Sequence, residues 1–353
     1  MHGERIVRLI SFPRCGIRIT LRKIAEIYTI PLISTKIILY FCGQQIFKVM
    51  LTTEQFQLFK SRLSTIENIA NLPEERQKEI VNELMSTQYI DLRCDWAFKY
   101  IMDDDEILRI LLEDMLPVQN ISTIKRLPNE SVNRFPDDKS IIFDVVCETP
   151  SGNVVVEMQR AKKTGFKNRM VYYGASMIHN QLKKKARYTA LMPVYVICFM
   201  DYGFKDNRQI ISRYALTEQE TKELYGDQLW IYLCNLKAFN KKSLNGLNPQ
   251  EAWLFILKNM INFAGNPEEM GERYSKVADA ARMDPMPMDK QLDYVFAMLS
   301  EQEKLEIREA SFEDGKEEMK VEMAREMLKD GVPLDTIAKY SKLPLETISS
   351  LMP

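Results

Sequence analysis

The stretch Ile141-Ile142-Phe143-Asp144-Val145-Val146-Cys147-Glu148-Thr149-Pro150-Ser151-Gly152-Asn153-Val154-Val155-Val156-Glu157-Met158-Gln159 sets two apolar runs around turn-forming residues, the pattern of a β-hairpin. Side chains alternate along a strand. Phe143, Val145 and Cys147 therefore read as one face of the first strand, with Asp144 on the other. In the second strand Val154, Val156 and Met158 share a face, and Glu157 and Gln159 point the opposite way. A tight turn at Pro150-Ser151 sets Asp144 across from Glu157. A loop over residues 150–153 sets it across from Gln159, with Glu157 diagonal. In both registers the three polar side chains share a face, with β-carbons roughly 5 to 8 Å apart. A one-residue slip would scramble the apolar sets, so the hydrophobic pattern argues against it.

Two carboxylates side by side on a mostly buried sheet repel each other and lose hydration. They need a proton, a basic partner or a metal ion. Oxygen ligands suit Mg2+, with Mn2+ or Ca2+ as alternatives, and the backbone carbonyl of Met158 offers a further oxygen. An ion held by Asp144, Glu157 and that carbonyl would polarise a phosphodiester and activate water. A plainer reading makes Asp144 a strand-edge residue and pairs Glu157 with a surface lysine.

Outward from the hairpin, residues 95–101 and then Leu108, Leu111, Leu112 and Met115 repeat at helical spacing until Pro117. Residues 166–187 read as one long helix with Met170, Tyr173, Met177, Ile178 and Leu182 on one side, and residues 194–200 as a buried strand. The core thus spans 85–205. Residues 1–84, with strand-like runs at 17–21 and 37–41 and helical stretches at 52–66 and 73–84, read as a small extra domain or as an upstream extension with Met85 the true start. Residues 206–300 read as helical. Residues 301–353 read as a charged helix to Lys329 and a helix-turn-helix-like tail cored by Ile337, Ala338, Leu343 and Ile348.

At the hairpin the sequence resembles the PD-(D/E)xK nuclease superfamily, and within it the Rpn group of recombination-promoting nucleases and transposases. Phe143-Asp144 followed by Val155-Val156-Glu157-Met158-Gln159 is similar to that group's "D … vEmQ" motif. Asp95-Trp96-Ala97-Phe98-Lys99 is similar to its D-x-x-F-K opening helix. Arg169, Tyr173, Gln181, Leu182 and residues 188–195 resemble its basic helix and following strand. The resemblance covers roughly residues 91–202. It implies an α/β fold with a restriction-endonuclease-like αβββαβ core and a mostly helical C-terminal region. It also implies metal-dependent DNA endonuclease activity linked to recombination or transposition, with Asp144, Glu157 and Gln159 catalytic and Asp95 and Lys99 helix-borne site residues. Two departures stand out. Gln159 takes the place of the superfamily's lysine and brings no positive charge, and Phe143 replaces the customary proline. A catalytically inactive DNA-binding or interaction protein is therefore the alternative.

Residues 160–187 carry Arg160, Lys162, Lys163, Lys167, Arg169, Lys183, Lys184, Lys185 and Arg187 and no acidic residue, in a chain whose formal net charge is only −1. Directly after the hairpin, such a segment suits phosphates of DNA. Arg160, Lys162, Lys163, Lys167 and Arg169, with Gln181 from the resemblance, are the candidate DNA contacts. Nothing there suggests base readout, so low sequence specificity is expected. The composition, 46% hydrophobic and 27% charged, is that of a globular chain. Six scattered cysteines form no disulfide framework, and two histidines make a zinc site improbable. No run is long enough to span a membrane, and no secretory leader is visible. A cytoplasmic protein is expected, with DNA as partner, no small-molecule cofactor, and homo-oligomerisation left open.

Overall fold

A computed structural model of the chain describes residues 51–118, 120–130, 141–203 and 209–352. Contacts divide the chain into two units, Met1–Leu58 and Phe59–Pro353. The expected strands at 17–21 and 37–41, and Cys15 and Cys42, lie outside the described residues.

In chain order the elements are α1 (Thr53–Leu63), α2 (Glu67–Ala70), α3 (Glu74–Met85), α4 (Asp95–Met102), α5 (Asp105–Met115), β1 (Lys125–Arg126), β2 (Val145–Thr149), β3 (Gly152–Gln159), α6 (Phe166–Gln181), β4 (Val194–Met200), β5 (Ile211–Tyr214), β6 (Leu229–Asn235), α7 (Pro249–Asn259), α8 (Gly271–Ala280), α9 (Met288–Lys329), α10 (Leu334–Ser341) and α11 (Leu345–Ser350). The α4-to-β4 order is the αβββαβ core, and the region after β6 is helical. The strands form one six-stranded sheet in the order β1-β2-β3-β4-β6-β5. β3, β4 and β6 run parallel and form its middle, while β1, β2 and β5 are antiparallel to their neighbours.

β5 and β6 correct the expectation of an all-helical stretch after residue 205. Leu229-Trp230-Ile231-Tyr232-Leu233-Cys234 is an unbroken apolar run, which periodicity alone cannot tell from a buried helix. Pairing along β4 makes it a strand buried on both faces.

The hairpin turns at Pro150-Ser151. Val145 stands opposite Val156 and Thr149 opposite Gly152, the register that carries Asp144 to Glu157. Gly152 has φ 142°, and a β-carbon there would lie 2.4 Å from the Pro193 carbonyl oxygen. That carbonyl also accepts the Asn153 N–H at 2.9 Å. Both the dihedral and the close approach require glycine. Gly152→Ala is expected to lower the urea midpoint by the equivalent of about 1 to 3 kcal/mol. An unchanged midpoint would show that the turn can relax.

One sheet face, through Val155, Val196, Cys198 and Leu233, packs under Phe166, Met170, Tyr173 and Met177 of α6. The opposite face meets α4, where the Phe98 and Phe199 ring centroids lie 6.3 Å apart. Phe143 departs from its expected side. The regular β2–β3 ladder begins at Val145, and the Phe143 N–H donates to the Asn129 carbonyl at 2.8 Å. Freed from the alternation, Phe143 joins Val146 and Val155 and meets Tyr173 edge-on at 5.0 Å.

α6 is shorter than expected, stopping at Gln181 and not at Arg187. The Gln181 amide clamps the Met192 backbone, donating to its carbonyl at 2.9 Å and accepting its N–H at 2.7 Å. This clamp turns the chain back toward β4 through extended Leu182 and left-handed Lys185.

The charged helix expected from residue 301 is the later part of α9, which is 42 residues long. Its first half is anchored by buried Tyr294, Val295 and Leu299. At its far end Ala324 packs with Ile337, Leu343 and Ile348 of the tail. Cys94, Cys147, Cys198 and Cys234 are free and buried. Among the described residues no helix is long and apolar enough to cross a membrane.

Candidate active site

Asp144 occupies the bend before β2, and Glu157 and Gln159 lie in β3 on the face that α6 covers. Asp144 and Glu157 are each fixed by a side-chain-to-backbone bond across the hairpin. The Asp144 Oδ2 accepts the Met158 N–H at 2.8 Å, and the Glu157 Oε1 accepts the Asp144 N–H at 3.1 Å. A residue's N–H and C=O face the same neighbour in an antiparallel pair. The Met158 carbonyl therefore faces the same edge as Asp144. Gln159 links onward, its Nε2 donating to Glu157 Oε2 at 3.2 Å and its Oε1 accepting from Arg169 Nη2.

From α4, Lys99 reaches Asp95 Oδ2 at 2.8 Å and Asp144 Oδ1 at 3.1 Å. Helical spacing brings Asp95 and Lys99 to the same end of the site, although Asp95 is exposed and caps nothing with its side chain. Burial works against the Lys99 ammonium, yet Asp144 and Asp95 hold its pKa above the usual lysine range. Burial, and then the negative charge of Asp95, push Asp144 above the ordinary carboxylate range despite Lys99. Burial, and then Asp144, push Glu157 up as well.

Both carboxyls thus remain short of positive charge, and their oxygen donors fit a hard divalent cation. Among the described residues no group of three or more His, Cys, Asp or Glu side chains stands ready to hold a metal. An ion bound here would be held by Asp144, Glu157 and the Met158 carbonyl with water, and Lys99 would have to release Asp144.

A cleft of about 470 Å³ is lined by Asp95, Asp144, Glu157, Gln159 and Arg169 on the core side and by Lys304 and Arg308 of α9 on the other. A second of about 1150 Å³ shares Lys163 and Arg308 with it and adds Lys162, Lys167 and Lys237. The cations thus come from the β3–α6 connection, the first turn of α6, the segment after β6, and a helix far along the chain. Lys163 is depressed by burial and then by Arg169 and Arg308. It sits in a positive field.

The other candidate contacts are placed differently. Arg160 lines both clefts but pairs with Glu301 at 3.2 Å and Asp91 at 3.6 Å. Asp91 is gripped at both oxygens by Arg93, which also reaches Asp201 at 3.2 Å. Glu301 accepts the Asp95 N–H at 2.7 Å, tying α9 to the start of α4. Gln181 lies at the far end of α6, and both ends of its amide are taken by Met192. Lys183, Lys184, Lys185 and Arg187 follow that far end and line neither cleft. The basic segment is therefore split along α6. Sequence reading missed Lys304, Arg308, Arg93 and Glu301. The first two sit in a run of mixed charge that reads as a solvated helix.

No curated protein and no solved structure matches the chain. The sequence model of one family, described as PD-(D/E)XK nuclease family transposase, matches residues 92–311. That range holds the hairpin, α4, α6 and the part of α9 that carries Glu301, Lys304 and Arg308. Covering more than half of the chain, the match shows that this protein belongs to the PD-(D/E)XK nuclease family transposases.

Proposed function

We propose that the chain is a divalent-cation-dependent DNA endonuclease of low sequence specificity, serving recombination or transposition of mobile elements. The observation that carries this reading is a pair of buried carboxyls, both with raised pKa, opening into a cleft lined with cations from α6 and α9. Asp144 and Glu157 hold the cation, Mg2+ before Mn2+ or Ca2+. Such an ion polarises the phosphodiester and makes water a better nucleophile when bound. Lys163, Lys304 and Arg308 bind the phosphates flanking the scissile one. Gln159 holds Glu157 and Arg169 in fixed relation. Asp95 keeps Lys99 close once the cation has taken its place at Asp144.

One observation favours a second reading, a nuclease-derived protein that binds DNA without cutting. Lys99 already engages Asp144, and Gln159 leaves position 159 uncharged. Supercoiled plasmid separates the two. Purified protein is expected to nick it in Mg2+, to stop in EDTA, and to lose the activity in Asp144→Ala. Wild type that cuts no faster than Asp144→Ala, while binding DNA with steep salt dependence, establishes the second reading instead.

A further inference from the structure

Gln159 leaves the reacting phosphate without the cation that a lysine there would offer, and both ends of its amide are committed, one to Glu157 and one to Arg169. Among the described residues, Lys99 and Arg169 bond directly to the Asp144–Glu157–Gln159 set. Lys99 is spent between Asp95 and Asp144, and it is not among the residues that line the cleft. Arg169 does line it, beside Asp144 and Glu157.

The setting of Arg169 is that of a prepared group. Its guanidinium lies 5.7 Å from the Phe166 ring centroid and 5.8 Å from that of Tyr173. These are distances at which an aromatic wall attracts a cation and limits its motion. One terminal nitrogen is bonded to Gln159. The Nε is buried and has no hydrogen-bond partner among the described residues. A guanidinium carries five N–H donors in a rigid fork matched to phosphate oxygens. A buried donor left unsatisfied is costly, so the protein contacts of Arg169 do not use up its fork of donors.

We infer that Arg169 is a catalytic residue: its guanidinium bonds a non-bridging oxygen of the scissile phosphate and supplies the positive charge that position 159 lacks. This rests on the nuclease reading. In hydrolysis the water oxygen bonds phosphorus and gives up a proton to solvent, the opposite ester P–O bond breaks, and the leaving sugar oxygen takes a proton from solvent; negative charge on the non-bridging oxygens changes most in the transition state between. A fixed cation aimed at those oxygens stabilises that stage more than the bound substrate. Lysines at the cleft rim act equally before and during reaction and set affinity only.

The test compares full-length wild type, Arg169→Ala, Arg169→Met (which keeps packing against Phe166 and Tyr173), Gln159→Lys, and the double variant Arg169→Ala/Gln159→Lys. Single-turnover nicking is measured in Mg2+, and DNA affinity by fluorescence anisotropy in EDTA. Arg169→Ala and Arg169→Met are expected to cut about 100-fold more slowly while binding within about threefold of wild type. The double variant, its cation returned through position 159, should recover about tenfold of the lost rate, and added guanidinium should partly restore Arg169→Ala. Wild-type rates in both Arg169 variants overturn the assignment and leave the nuclease reading standing. So does a rate loss matched by an equal affinity loss, or one that neither lysine nor guanidinium rescues. A wild type that cuts nothing overturns the nuclease reading and this assignment with it.

Discussion

Glu157→Gln is expected to abolish plasmid nicking, by about 10³-fold or more, while leaving the cation-free protein more stable near pH 8 than wild type. The first effect follows from removing one of the two carboxylates proposed to hold the ion. The second follows from its environment. Glu157 is 2% exposed, and burial and then Asp144 raise its pKa in the folded state. A raised pKa means that the folded chain binds this proton more tightly than the unfolded one. The associated stability is fully present below the ordinary carboxylate pKa of about 4.3 and is lost as pH climbs through the raised value. Wild type in EDTA should therefore weaken from about pH 4.5 to about pH 8. Glutamine removes the charge, so the slope should flatten, with a gain on the order of 1 to 2 kcal/mol at the alkaline end. Part of the gain is offset because the new amide sets a donor against the Gln159 Nε2 that Glu157 now accepts. Mg2+ should stabilise wild type at pH 8 by mass action and do far less for the variant. Urea unfolding at the two pH values, with and without Mg2+, reads all of this. Parallel wild-type and variant pH profiles would mean that the carboxyl pair carries no electrostatic strain.

The largest loss of stability is expected away from the site. Asp114 of α5 is 9% exposed overall, its side chain only 3%. It accepts the Trp253 indole N–H at 3.0 Å and the Tyr274 hydroxyl at 2.9 Å through one oxygen. The other oxygen takes Arg273 Nε at 3.0 Å and Nη2 at 2.6 Å. A single carboxylate thereby joins α5 to α7 and α8. Asp114→Ala strands a fully buried indole N–H and a buried hydroxyl, and leaves Arg273 without its counter-charge. The Arg273 side chain is 46% exposed, so water screens its share. The two buried donors dominate, and a loss of about 3 kcal/mol is expected. Asp114→Asn keeps one acceptor for Trp253 and Tyr274 and should lose roughly half as much. Equal denaturation midpoints for wild type and Asp114→Ala would refute this account.

The hairpin was legible because strand alternation and a two-residue turn are local signals, and polar residues interrupting buried strands are rare enough to notice. The helical spacing of Leu108, Leu111, Leu112 and Met115 made α5 legible in the same local way. β6 escaped because an unbroken apolar run has no period of its own, and only β4 beside it makes it a strand. Phe143 changed sides because its backbone N–H found Asn129 and left the ladder. Lys304 and Arg308 carry no local mark at all; they reach the cleft because Tyr294, Val295 and Leu299 fix the first half of α9 against the core. Gln181 shows the converse. The resemblance made it a DNA contact, and the fold uses its amide to fasten a loop.

One helix joins the cleft to the tail core. α9 meets the cleft at Arg308 and the tail core at Ala324, and at 1.5 Å per residue those positions stand about 24 Å apart along its axis. A partner gripped by the tail would be held at a set distance from the carboxylates, and also at a set angle. Each residue inserted near Gly315 would swing the tail by about 100° while lengthening the rod very little.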